Sequence, residues 1–490
     1  MRRYKKLDDH LSIERIFLTF AKDKHCFFLD SSLESESLGR FSFIGSEPGE
    51  VIEFIEGMEK PFEKLRGDFE AAGIFSGKEG AIEDQFPFTG GFVGYLSYDL
   101  GRYIERISNT AETDIEIPYY WFGKYDNIIA IDNLKREVWL VINGSSEEEL
   151  DLIEKKMIKK IIDAMSEYAA EDSIEVDVED LSKTSCENPF ENVVDIYDDY
   201  SDTVRAAALD AEKIGLLSNL TTEQFIASVN RIREYIKAGD VYQVNMTQRF
   251  AMETARTAVD IYSELRIRNS APFASYLDFS NKQDKRYILS SSPERLLKYE
   301  NGIAESRPIK GTLPRGKTPE EDMKLSMILK NSEKDRAELL MIVDLVRNDL
   351  GKVAKSGTVK VSQLFHVEQY ATVHHLVSSV CCELDEGKDQ IDLLEAVFPG
   401  GSITGAPKIR AMEIIDELEP TRRNIYTGSL GYISNNGNMD FNILIRTILK
   451  LNNKAYYQVG GGIVWDSDPS AEYDETLHKG KAIMKTLTGF

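Results

Sequence analysis

Two glycine-punctuated segments, far apart in the chain, constrain the fold more than any other feature. Gly91-Phe92-Val93-Gly94-Tyr95-Leu96-Ser97 is echoed by Gly428-Ser429-Leu430-Gly431-Tyr432-Ile433-Ser434. Each reads as a strand whose glycines let another backbone approach closely. The echo predicts two related sheets packed in one core. The 490 residues supply ample material for it, although length alone suggests about two to four domains.

Three regions follow from composition. Residues 1–146 form an N-terminal region of short strands and turns, such as Phe41–Gly45 and Tyr125–Ile131. Residues 147–220 read as an acidic connector: a helix over Leu150–Tyr168, then a carboxylate-rich, solvated stretch over Glu171–Asp202. Residues 221–490 form the third region and open on a helix. Thr221 or Thr222 caps it, Phe225, Val229, Ile232 and Ile236 share a face, and Gly239 ends it. The next strand, Val241–Phe250, turns Gln243, Asn245, Thr247 and Arg249 to one side. A face that polar meets either solvent or an active site.

Net charge is −24, which argues against nucleic acid or an anionic membrane as partner. An anionic substrate would then need a local cationic pocket or a metal. No stretch approaches the ~18 apolar residues of a membrane span. The four cysteines, Cys26, Cys186, Cys381 and Cys382, lack metal-site or disulfide-framework spacing, and the adjacent pair alternates across a strand as thiols. The expected compartment is reducing and cytoplasmic.

The candidate chemistry concentrates in the third region. Lys310 lies in Ser306-Arg307-Pro308-Ile309-Lys310-Gly311-Thr312, between a proline-fixed approach and a permissive glycine. An amine so placed is a nucleophile if desolvation lets it lose its proton near neutral pH; otherwise it is a surface lysine in a Pro/Gly loop. Asp335 and Glu338, and again Glu472 and Glu475, stand three apart, so each pair shares a helix face. Alone, each pair could simply decorate an exposed helix. Facing each other, the pairs would repel unless a cation lay between them, and hard oxygen ligands suit Mg²⁺. Gly400–Lys408 is a glycine-rich loop running through Pro407 into a helix carrying Met412, Ile415 and Leu418. It could present amides and hydroxyls to an anion, but it lacks the Lys-Ser/Thr ending of a Walker loop. Gly460-Gly461-Gly462 admits a ligand close to backbone, and Arg446 offers a carboxylate two parallel donors.

Together these motifs resemble the chorismate-utilising enzymes. Ile342–Leu350, Phe398–Lys408 and Ala471–Thr476 carry the resemblance most specifically, with Leu33-Glu34-Ser35 and Gly90–Tyr95 supporting it earlier in the chain. The fold it implies is α+β: two antiparallel β-sheets packed as a sandwich core with outer helices. It also implies Glu338 and Glu475 as direct Mg²⁺ ligands, with Asp335 and Glu472 acting through water. The metal would hold the ring carboxylate of chorismate, while Tyr426, Arg446 and Gly460 take the enolpyruvyl carboxylate. Thr404, His375, Gly311, Thr312, Lys479 and Gln243 would line the same site.

The resemblance also narrows the reaction. Members that add water carry a lysine base where this chain has Gln243, and an amide cannot take a proton from water. Members that make anthranilate usually have alanine at the position of Lys310; those that make 4-amino-4-deoxychorismate usually read Pro-Ile-Lys-Gly-Thr, as here. The implied activity joins chorismate and ammonia through a covalent lysine adduct, with Glu294 as general acid, on the way to para-aminobenzoate and folate. Anthranilate formation is the alternative, and a catalytically inactive tryptophan-binding subunit is a second. The chain contains no Gly-x-Cys-x-Gly elbow, so a separate glutamine amidotransferase subunit is implied as the ammonia source. Leu33, Glu34, Ser35, Pro272 and Phe273 match a pocket that takes tryptophan in some relatives.

Overall fold

The computed structural model describes residues 1–7, 11–32, 38–57, 60–74, 84–171, 208, 210, 212–370 and 373–489. Among these, twelve strands form one sheet and ten a second. The first runs from Arg2–Lys6 through Glu137–Asn143, Ile128–Asp132, Phe41–Gly45, Phe27–Asp30, Phe273–Asp278, Arg286–Ser292, Thr447–Leu451, Lys454–Ile463 and Gln243–Glu253 to Gly405–Ala406. The second runs from Ile309–Pro314 through Val373–Glu383, Ile303–Arg307, Arg295–Glu300, Met439–Asn442, Ser429–Ser434, Gly91–Leu96 and Tyr120–Tyr125 to Glu50–Phe54. Neighbouring strands along both paths pair antiparallel.

Period-two alternation builds the layers. Along Gly91–Leu96, Val93 and Tyr95 point into the apolar interior between the sheets, where Phe27, Phe43, Trp121, Leu277 and Tyr432 also lie. Phe92 and Leu96 point outward, into a cluster shared with helices Pro61–Ala71, Glu333–Gly351 and Gln390–Val397. The outer face of the first sheet is covered by helices Ile13–Phe20, Ala258–Arg268 and Pro469–Thr488. The result is the α+β sandwich with outer helices expected from the sequence.

The glycine echo has a different meaning from the one read in the sequence. Its two copies do not nucleate separate sheets; they pair with each other, with Gly94 directly opposite Gly431. A Cβ at Gly94 would sit 2.0 Å from the Trp121 carbonyl oxygen, and one at Gly431 2.0 Å from that of Asp440. Glycine is required there because each strand is pressed against its neighbour, a contact that no single-strand pattern reveals.

Other expectations shift in detail. The strand read over Tyr125–Ile131 is two strands, Tyr120–Tyr125 in the second sheet and Ile128–Asp132 in the first. Asp126 and Asn127 turn the chain between layers, as short turn-forming side chains do. The helix expected at Leu150–Tyr168 spans Glu147–Glu171. It is docked on the core: Leu150, Met157 and Ile161 are buried in the cluster of the first sheet, and Arg3 donates to Asp151 at 2.7 Å and Glu154 at 2.9 Å. Most of the carboxylate-rich stretch lies outside the described residues. Regions 1–146 and 221–490 each supply strands to both sheets, so they share one core. The helix Thr222–Ala238 carries a capping box between Thr221 and Gln224 and ends at Gly239 with φ +85°. No described helix is long and apolar enough to cross a membrane.

Candidate active site

Lys310 sits on the edge strand Ile309–Pro314, not in the loop expected from its proline and glycine. The strand register against Val373–Glu383 shifts between Lys310, opposite Leu376, and Thr312, opposite His375. Gly311 is the bulged residue, with φ +72°. A bulge of this kind turns a neighbouring side chain away from the regular pleat. A side chain at Gly311 would also strike Asp335, whose Cγ lies 2.8 Å from the Cβ position. The glycine thus brings the lysine strand against the start of the Glu333–Gly351 helix. The next residues are stapled: Arg315 Nε donates to Asp322 Oδ1 at 2.7 Å, and His374 Nε2 meets the same oxygen at 2.9 Å.

Lys310 keeps some accessible surface. Burial in the cleft nevertheless pulls its pKa below the ordinary lysine value, helped by Lys479 and opposed by Glu338, Glu294 and Glu475. Glu294 is 6% exposed, and its Oε1 has no partner. Burial pushes its carboxyl up to about 7, against the pull of Ser402, Lys310 and the Ile309 amide. An acid and an amine with displaced pKa values therefore act on one another electrostatically. Ser402, which sequence reasoning quoted only as part of the glycine loop, joins the site through Glu294.

The carboxylate pairs stand on helices as expected. Asp335 and Glu338 lie in the first turns of Glu333–Gly351, which Ser332 caps and which buries Leu339, Ile342, Val343 and Val346. Asp349 anchors its far end by accepting from buried Lys408 at 2.5 Å, so the glycine loop's lysine has a structural role. Glu472 and Glu475 lie on Pro469–Thr488. They approach the backbone at Gly461, whose Cβ position would be 3.3 Å from Glu472 Oε2 and 3.4 Å from Glu475 Oε1. Burial would raise Glu475, but Lys479, Lys334 and Lys310 together hold it below the usual range. Burial raises Glu472, and the charge of Glu475 adds to the rise. Lys334, absent from the sequence-derived set, thus bears on both carboxylates. Among the described residues no three such groups converge on a single cation position, and Lys479 pairs with Glu475 Oε1 at 2.6 Å.

A second cluster suits a carboxylate ligand. Arg446, at φ +53°, donates to the Lys479 carbonyl at 2.5 Å. Lys479 Nζ in turn donates to the Gly460 carbonyl at 3.0 Å. Arg446 also acts electrostatically on Tyr426 and His375. Burial raises the Tyr426 phenol, and burial with Arg446 lowers His375 to about 4, so His375 is a neutral imidazole at pH 7. Its Nδ1 lies 2.8 Å from Thr312 Oγ1. Thr404 is buried, and its hydroxyl is committed to the Gly400 carbonyl at 3.0 Å.

The polar strand face turned out neither solvated nor wholly catalytic. Gln243, Asn245, Thr247 and Arg249 are all buried. Asn245 donates to the Ile403 carbonyl at 2.9 Å and Thr247 to Glu419 at 2.6 Å, while Arg249 bonds Asp114. Gln243 alone has both amide atoms unpartnered, beside Gly462. Of the residues matched to a tryptophan pocket, Phe273 begins a strand and Pro272 precedes it, its carbonyl accepting from Ser31 Oγ at 3.3 Å. Leu33, Glu34 and Ser35 lie outside the described residues.

Comparison with known proteins identifies the family. The family described as chorismate binding enzyme matches residues 24–485. An anthranilate synthase component 1 of Acetivibrio thermocellus is 36% identical over 481 residues, covering 96% of this chain and 92% of the relative. An aminodeoxychorismate synthase component 1 of Bacillus subtilis (strain 168) is 38% identical over 468 residues, covering 93% and 91%. The crystal structure of anthranilate synthase component I from Streptococcus pneumoniae TIGR4 superposes with a TM-score of 0.71 at 30% identity, covering 92% of this chain and 93% of that one. By sequence and by fold, the chain belongs to the chorismate binding enzyme family.

Proposed function

We propose that this chain makes 4-amino-4-deoxychorismate from chorismate and ammonia, with Lys310 as a transient covalent nucleophile. The observation that carries the reading is the pairing of a lysine depressed by burial with a carboxyl raised to about 7. Relatives bearing both amination names match the chain at similar identity, so the choice between them rests on this pair. The Lys310 lone pair forms a bond to C2, the ring double bonds shift, and the C4 hydroxyl departs with a proton from Glu294 as water. Ammonia then bonds to C4, the double bonds shift back, and the C2–N bond breaks. One proton of the added nitrogen returns to the Glu294 carboxylate, and Lys310 recovers its amine. Two allylic displacements thus replace one difficult substitution.

Mg²⁺ suits the chemistry of the donor set, which is all carboxylate oxygen, and a cation there would offset both the burial that raises Glu472 and the lesser contribution of the Glu475 charge. Glu338 and Glu475 would hold it, with Asp335 and Glu472 beyond, and it would supply positive charge for the ring carboxylate. Arg446 and Tyr426 are proposed for the enolpyruvyl carboxylate. A glutamine amidotransferase subunit is proposed as the ammonia source. Equilibrium dialysis against chorismate should show affinity falling by about tenfold or more when EDTA replaces Mg²⁺; equal affinity in both buffers rejects the metal.

The reading is tested by mass spectrometry of products formed from chorismate, Mg²⁺ and ammonium. An aminated product that keeps its enolpyruvyl group supports it; pyruvate plus an aromatic amine means anthranilate formation. Single-turnover adduct formation without ammonia should be bell-shaped in pH. Glu294 must hold its proton, so the rate falls as pH rises through about 7; Lys310 must lack one, so the rate also falls on the acid side. Glu294→Gln should slow the step by about a hundredfold and remove the alkaline limb.

A further inference from the structure

The turn that joins the triple-glycine strand to the helix of Glu472 and Glu475 carries a serine that the chemistry above does not use. Val464-Trp465-Asp466-Ser467 follows the strand Lys454–Ile463 and precedes the helix Pro469–Thr488. It closes on itself twice: the Ser467 amide donates to the Val464 carbonyl at 3.2 Å, and the Val464 amide donates to Ser467 Oγ at 3.1 Å. Arg233 Nε donates to the Trp465 carbonyl at 3.3 Å and ties the turn to the helix Thr222–Ala238. Ser467 is 6% exposed, and its Oγ lies 2.6 Å from Glu472 Oε1. An amide can only donate, so Val464 takes a lone pair of the hydroxyl, and the one hydroxyl proton goes to the carboxylate. Glu472 Oε1 is thereby committed to the turn. Its other oxygen, Oε2, approaches Gly461, 3.3 Å from the Cβ position there, with Glu475 Oε1 3.4 Å from the same point.

We propose that Ser467 is a positioning residue for the cation site: it holds Glu472 Oε1 so that Oε2 is presented beside Glu475. The proposal rests on the reading that these carboxylates hold Mg²⁺. A hydroxyl suits the task because it satisfies one oxygen without cancelling the negative charge that a cation needs. The ammonium of Lys479, 2.6 Å from Glu475 Oε1, does offset the charge of its partner. Ser467 is also short, and in a buried, twice-closed turn it has little rotamer freedom left to lose. The carboxylate it holds is therefore fixed against the strand end instead of sampling several rotamers. Groups that orient a metal-site carboxylate from behind change metal affinity by about 10- to 100-fold when they are removed.

Calorimetric titration of the full chain with MgCl₂ tests this without turnover. Ser467→Ala should raise the Kd for Mg²⁺ by about tenfold or more, and Ser467→Thr, which keeps the hydroxyl, should stay within about twofold of wild type. In a Glu472→Ala background, Ser467→Ala should change the Kd by less than about twofold, because no carboxylate is left to position. A serine that only closed the turn would weaken binding equally in both backgrounds. That result overturns the proposal, as does an unchanged Kd for Ser467→Ala. If Ser467→Ala does not fold, Ser467→Cys, close in volume but with only a weak S–H donor, replaces it in both comparisons. The two failures are distinct. A wild-type chain that takes up no Mg²⁺ sinks the metal reading and the proposal with it; wild-type uptake with a silent Ser467→Ala sinks the proposal alone.

Discussion

Lys310→Ala will cut ammonia-dependent formation of 4-amino-4-deoxychorismate on the order of a thousandfold or more, because it removes the group proposed to form the bond to C2. No neighbouring amine can take over. Lys479 is held by Glu475 at 2.6 Å and by the Gly460 carbonyl at 3.0 Å, and Lys334 projects from another helix. Intact-mass analysis of the wild-type chain with chorismate and no ammonia should show an adduct, and the variant none. The loss will not be one of folding. Burial lowers the Lys310 pKa from 10.5, so the unfolded chain binds that proton more readily and stability rises with pH across the interval between the two values. The alanine variant lacks that slope and should melt no lower than wild type at pH 7. Undiminished amination by the variant, with pyruvate released, would assign direct attack of ammonia at C2.

Arg423→Met will destabilise the fold by about 3–5 kcal/mol, the cost of leaving a buried charge without its partner. The side chains of Arg423 and Glu419 are 1% and 3% exposed. Arg423 donates to Glu419 at 2.7 and 2.9 Å, to the Asn245 carbonyl at 2.6 Å and to the Ile403 carbonyl at 3.0 Å. Burial alone would lower its pKa, but the charge of Glu419 outweighs it. The pair ties the polar strand to the glycine loop, with Thr247 completing the network. Chemical denaturation should therefore show a lower midpoint for Arg423→Met. Arg423→Met combined with Glu419→Met should recover part of the loss but not all, since the Asn245 carbonyl loses its Arg423 donor and the Thr247 hydroxyl loses its Glu419 acceptor. Equal midpoints for wild type and the single variant would mean that Glu419 finds another partner.

The site was legible in proportion to how local its signals are. Helix spacing placed Asp335 with Glu338 and Glu472 with Glu475 on shared faces, because i and i+3 meet whatever the tertiary fold. The Thr221 cap and the Gly239 stop were equally local. The polar face of Gln243–Glu253 was visible, but its purpose was not. Asn245, Thr247 and Arg249 are consumed by Ile403, Glu419 and Asp114, all remote in sequence. Ser402 and Lys334 were missed because their relevance depends on which carboxylate lies opposite.

The sequence by itself determined the family, the strand and helix alternation, the carboxylate pairs and the presence of Lys310 between its proline and glycine. Those follow from periodicity and from long motifs, which a chain carries regardless of its partners in space. Only the tertiary structure decided that Gly94 and Gly431 face each other across one pairing, that Gly311 bulges an edge strand, and that burial displaces the proton affinities of Lys310 and Glu294 from ordinary values. These depend on distances between residues remote in the chain and on the water excluded between them, and burial, not residue type, sets the charge a side chain carries.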